Sequence, residues 1–80
     1  MNKTIEAMLD EFIAADRPSI LLANEIEVAL DDAYPDNDYV RDLVAMLAMY
    51  RPEGGEFLYN AEAMRAKLVR AREYLSGLAD

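Results

Sequence analysis

The chain has 80 residues, 54 % of them hydrophobic, with 16 Asp+Glu against 8 Lys+Arg for a net charge of -8, and it contains neither Cys nor His. These values describe one small domain with enough apolar content to fold, and they exclude zinc sites, thiol chemistry and a histidine general base. The acidic balance also argues against nucleic acid and anionic membrane surfaces as partners, because both are met by cations.

The first predicted helix spans Thr4–Ala15. Ile5, Met8, Leu9, Phe12 and Ile13 fall at i, i+3, i+4, i+7 and i+8 and form one apolar stripe. Glu6, Asp10 and Glu11 interrupt Met1–Ala15, so it does not read as a signal peptide. No stretch approaches the ~20 apolar residues of a membrane span, and residence in the cytoplasm is the expectation. Asp16-Arg17-Pro18-Ser19 breaks the chain, with Asp16 as the expected cap of the next helix and Pro18 in its first turn. That second helix is predicted over Ser19–Ala33, with Leu22, Ile26, Ala29, Leu30 and Ala33 inside.

Tyr34-Pro35-Asp36-Asn37-Asp38 is a turn by composition and offers N-caps for a third helix over Tyr39–Tyr50. Val40, Leu43, Val44, Leu47 and Ala48 repeat the apolar stripe there. Arg51-Pro52-Glu53-Gly54-Gly55-Glu56 ends it. A last helix begins after Asn60, with Tyr59 and Met64 placed as a hydrophobic staple and Met64, Leu68, Ala71, Leu75 and Leu78 inside. The predicted fold is all-α, a small antiparallel four-helix bundle in a single acidic domain.

Charge is unevenly spread over this plan. Glu25, Glu27, Asp31, Asp32, Asp36, Asp38 and Asp42 stand against one cation, Arg41. Residues 1–60 contain 13 acids and 4 bases, whereas residues 61–80 contain 3 acids and 4 bases. Asp36 and Asp38 favour the dipole at a helix start, but Asp31 and Asp32 lie near a helix end, where it disfavours them. Like charges in one place repel, so a positively charged partner is the expected use of the cluster.

Other chemistry finds little support in the residues. An EF-hand loop starting at Asp36 would place Arg41 at its sixth position, where glycine is needed, and a start at Asp32 places Tyr34 third. Asp31 and Asp32 are adjacent, so on a helix they point about 100° apart and cannot flank one bond. No catalytic constellation, metal or cofactor is expected. Tyr34 and Tyr39 flank the acidic turn, and Tyr34 is the expected exposed anchor for a partner. Phe57, with Tyr50 and Tyr59, is expected to close the bottom of the core. Ser19 opens the second helix as the phosphopantetheine serine does in acyl carrier proteins. Arg17-Pro18-Ser19-Ile20 lacks the Asp before the Ser, however, and Ser19 reads as an ordinary first-turn residue.

Ile26-Glu27-Val28-Ala29-Leu30-Asp31-Asp32-Ala33-Tyr34-Pro35-Asp36 resembles the acidic helix and aromatic-Pro-Asp turn of the colicin D immunity-like family of bacteriocin immunity proteins. Tyr59-Asn60-Ala61-Glu62-Ala63-Met64-Arg65-Ala66-Lys67-Leu68 resembles the closing helix of that family. The Gly54-Gly55 turn and the first helix carry no matching feature. Of the paired-tyrosine-Pro motif of DNase-colicin immunity proteins, only Tyr50-Arg51-Pro52 has an echo here. The resemblance implies occlusion of a basic nuclease toxin domain, with Asp31, Asp32, Asp36 and Asp38 standing in for phosphates and Tyr34 as anchor. The expected partner-binding set is Glu27, Asp31, Asp32, Tyr34, Asp36, Asp38, Tyr39 and Asp42. Two alternatives stay open. One is a nucleic-acid mimic that blocks another binding protein. The other is a helical module forming a homodimer through Leu21, Val28, Val69 and Met49, which sit off the main stripes.

Overall fold

The computed structural model describes residues 1–78 and consists of four helices: α1 (Lys3–Ala14), α2 (Ile20–Ala33), α3 (Asp38–Ala48) and α4 (Ala61–Ser76). Each opens on a side-chain cap that satisfies backbone N–H groups otherwise left without an intrahelical partner. Asn2 accepts from Thr4 and Ile5, Ser19 from Leu22, Asn37 from Val40 and Asn60 from Ala63. Asp16 therefore does not cap the second helix. Pro18 precedes the cap rather than entering the first turn, and it is buried.

The helices form a closed cycle of neighbours, with α1 against α2 and α4, and α3 against α2 and α4. The core between them holds Ile5, Leu9 and Phe12 of α1, Ala23, Ile26 and Leu30 of α2, Val40, Leu43 and Leu47 of α3, and Met64, Leu68, Ala71 and Leu75 of α4. Each fully buried Leu, Ile, Phe or Met contributes roughly 1.5–3 kcal/mol of transfer free energy. Two alanines expected inside, Ala33 and Ala48, are exposed, and Ala23 takes an inner place instead. Alanine carries too little apolar surface to force a helix to turn toward it, so the larger residues set the rotation.

Helix α3 stops at Ala48, short of the expected Tyr50. Beyond it the 51–58 loop brings the chain back to an isolated parallel bridge between Tyr50 and Tyr59, where Arg51 N–H donates to Tyr59 O (2.9 Å) and Tyr59 N–H to Met49 O (3.1 Å). Tyr50 itself is fully buried, edge-on to Phe12 with ring centroids 5.1 Å apart. Its hydroxyl donates to the carbonyl of Pro18 (2.6 Å), so the first interhelical turn is tied to the end of α3. Burial pushes the Tyr50 phenol above its ordinary pKa, outweighing the pull of Arg65 and Arg17 toward ionisation.

The tip of the 51–58 loop corrects another expectation. Phe57 does not close the core but is 83 % exposed. It sits at φ 64°, next to Gly54 at φ 81° and Gly55 at φ 143°. The left-handed backbone that lets the loop turn back to Tyr59 points the ring outward.

Candidate functional site

Successive residues of a helix are turned by about 100°, so the carboxylates of α2 divide between its two flanks. Ala23, Ile26 and Leu30 define the core side. Glu25 and Asp32 lie on the flank next to α1, where with Asn24, Val28 and Ala29 they line an open groove that also includes Met8. Glu27 and Asp31 lie on the opposite flank, one turn apart. Glu27 is half-buried there, and the loss of hydration raises its pKa above the ordinary 4.5.

The turn after α2 is held by its own polar groups. Tyr34 caps the helix, its N–H donating to Leu30 O (2.9 Å), and Asn37 N–H closes the turn on Tyr34 O (3.2 Å). Arg41 reaches back to the Pro35 carbonyl (3.2 Å) and lies 3.8 Å from Asp38. Asp36 and Asp38 are exposed at this tip. Tyr34 is half-buried and packs against the core, so it is not the exposed anchor expected of it. Its place at the helix end turns the ring inward.

Tyr39 and Asp42 face the other way, toward α4. The Tyr39 ring stacks on Tyr74 at 4.3 Å, and the Tyr74 hydroxyl accepts from the Asn37 side-chain amide (3.0 Å). Asp42 lines a cavity of about 210 Å³ with Tyr39, Leu43, Met46, Lys67 and Arg70. Apart from Tyr34, which packs against the core, the residues expected to form one surface are thus spread over four places. Glu27 and Asp31 occupy one flank of α2, Asp32 the other, and Tyr39 and Asp42 the α3–α4 side, with the Asp36–Asp38 tip between.

The cations explain the electrostatics. Arg65 of α4 donates through Nε to Ile13 O (3.0 Å) and through Nη2 to Ala15 O and Asp16 O (3.1 Å for the last). Ile13 belongs to the last turn of α1, which has no basic residue of its own, and Ala15 and Asp16 are its cap and the residue after it. Arg72 holds Asp10 (2.6 Å) and approaches Glu6 (3.9 Å), and Arg17 approaches Glu53 (3.6 Å). Among the described residues, Asp38 is the one carboxylate of the Glu25–Asp42 stretch with an ion pair. Arg65 and Arg72 are engaged on α1 and Arg17 near Glu53, and of the arginines only Arg41 pairs with a carboxylate of the Glu25–Asp42 stretch among the described residues.

Among the described residues no three carboxylates gather to hold a metal ion, and no helix is long and apolar enough to cross a membrane. Ser19 Oγ is engaged as a cap, 3.0 Å from Leu22 N. Leu21 and Val28, off the main stripes in sequence, are indeed exposed on α2, at 68 % and 71 %. Phe57 is the exposed aromatic that periodicity missed, since it lies in a loop where no period applies. No family model matches the chain, and comparison with curated proteins and with solved structures finds no match.

Proposed function

We propose that this domain is an immunity-type inhibitor that binds a basic nuclease toxin domain and occludes it with the acidic surface of α2 and the turn after it. In this reading the helices run antiparallel around the shared core, the protein acts in a bacterial cytoplasm, and it performs no catalysis itself. The supporting observation is electrostatic. Glu25, Glu27, Asp31, Asp32, Asp36 and Asp42 have no ion pair among the described residues, while Arg65, Arg72 and Arg17 are committed elsewhere. Leaving carboxylates unpaired costs folding little where water solvates them, and it preserves a field that draws in a cationic surface. Complementary charge would set the association rate and orientation, and desolvated contacts would set the residence time.

Stopped-flow association with a cognate basic nuclease domain tests the proposal. Raising salt from low to near-molar concentration shortens the Debye length from about 30 to 3 Å and should slow association more than tenfold. The triple variant Asp31→Asn, Asp32→Asn, Asp36→Asn should lose protection against the nuclease while melting no lower than the parent. A rate insensitive to salt, or full protection by the triple variant, would remove the basis for this function.

A further inference from the structure

Helix α2 is apolar on two sides. One side is the core; on the other, Leu21 and Val28 are seven residues apart and mostly exposed. Beside them runs a second row, Glu25 and Asp32, also seven residues apart and also exposed. Seven residues of helix advance about 10.5 Å and return to nearly the same direction, so the two rows run side by side along the axis. Val28, Met8 of α1 and Ala29 are the apolar lining of the groove and Asn24 adds a polar group, while Leu21 lies outside that lining, seven residues before Val28 on the same line of the helix. No cation lines it.

We propose that this groove docks a basic amphipathic helix of the partner protein, its apolar row packed on Leu21 and Val28 and its Lys or Arg row on Glu25 and Asp32. The inference rests on the proposed basic partner and gives that partner's contact a chemistry and a place. Charge decides the occupant. A second copy docked by the same face would bring Glu25 and Asp32 against their equivalents on chains of net charge -8, with no cation in the groove to offset them. A cationic helix satisfies both rows at once, in the manner of helices that dock apolar anchors in grooves. The contact therefore centres on the α1-facing flank of α2, away from the Asp36–Asp38 tip.

The probe is a synthetic 18-residue helix with leucines in one seven-residue-spaced row and lysines in the adjacent row. A control peptide has the same composition in scrambled order. Binding is followed by anisotropy and by amide chemical shifts of the intact domain. The ordered peptide should bind at least tenfold more tightly than the scrambled one, shifting Leu21–Asp32 and Met8. Leu21→Asn with Val28→Asn should weaken it at least tenfold, Glu25→Gln with Asp32→Asn should flatten its salt dependence, and Glu56→Gln with Glu62→Gln, exposed carboxylates outside the acidic stretch, should change affinity less than twofold. Unaltered far-UV spectra and melting confirm that each variant is folded.

Equal affinity for both peptides, or shifts confined to Asp36–Asp42, would overturn the groove and leave the acidic inhibitor reading standing. So would binding of the nuclease domain with Leu21–Asp32 unshifted. Failure of the nuclease domain itself to bind at low salt would overturn that reading, and the groove with it. A sedimenting dimer that dissociates in Val28→Asp would assign the face to a second copy and refute the proposal.

Discussion

Replacing Tyr50 by Phe removes one oxygen from a fully buried side chain and leaves the ring against Phe12. The Pro18 carbonyl, which accepts that hydroxyl at 2.6 Å, then loses its donor in a buried setting. A buried acceptor stranded in this way costs about 1–3 kcal/mol. A domain of this size has a total stability of only about 4–12 kcal/mol, so a loss near 2 kcal/mol should lower Tm by roughly 8–16 °C. Urea and thermal melts followed by circular dichroism at pH 7 measure it. The same melts repeated above pH 10 add a second reading. Burial raises the Tyr50 pKa above 10 in the folded state, whereas the unfolded chain ionises near its ordinary value of 10. The unfolded state therefore binds fewer protons as pH rises past 10, and the phenol's stabilisation is full below that pH and lost progressively above it. The advantage of the parent over Tyr50→Phe should narrow there. A loss under about 0.5 kcal/mol at pH 7, a small fraction of the cost of a stranded acceptor, would refute the claim that this bond ties the two turns together.

Arg65→Met should cost about 2 kcal/mol in urea unfolding, because charge-assisted bonds to the last carbonyls of α1 disappear together. Arg65→Lys should recover less than half of that, since an ammonium cannot reach Ile13, Ala15 and Asp16 with the same fork; complete recovery would mean that charge alone suffices. Phe57→Gly should stabilise by roughly 0.5–1 kcal/mol, because the substitution removes the cost of a left-handed side chain and gives up little burial, and thermal melting checks the sign.

Much of the helical plan could be read from the chain. Stripes such as Ile5-Met8-Leu9-Phe12 and Val40-Leu43-Leu47 repeat with the helical period, and the structure buries most of their members. Asn60 was legible as a cap for the same local reason, and Asn37 lies within the turn that was expected to supply one. The cap of α2 differs from the expectation, which is Asp16 with Ser19 in the first turn; both are good capping residues, and only the path of the chain around buried Pro18 makes Ser19 the cap. Phe57 failed because hydrophobicity predicts burial only where the backbone can deliver the side chain to the core. A φ of 64° between two glycines and Tyr59 does not.

The acidic stretch shows the same division. Its charge follows from composition, and its place at the end of α2, the turn and the start of α3 follows from helical period and turn chemistry, both local properties. Whether its members act as one surface depends on how each helix is rotated about its axis, and packing of the largest apolar side chains sets that rotation. Packing lays Tyr34 against the core and turns Asp42 toward Lys67 and Arg70 and Asp32 toward the groove beside Met8. Only the tertiary structure, too, commits Arg65 and Arg72 to α1 and leaves most of the α2–α3 carboxylates without partners, because those contacts join residues some 50 to 60 positions apart in sequence.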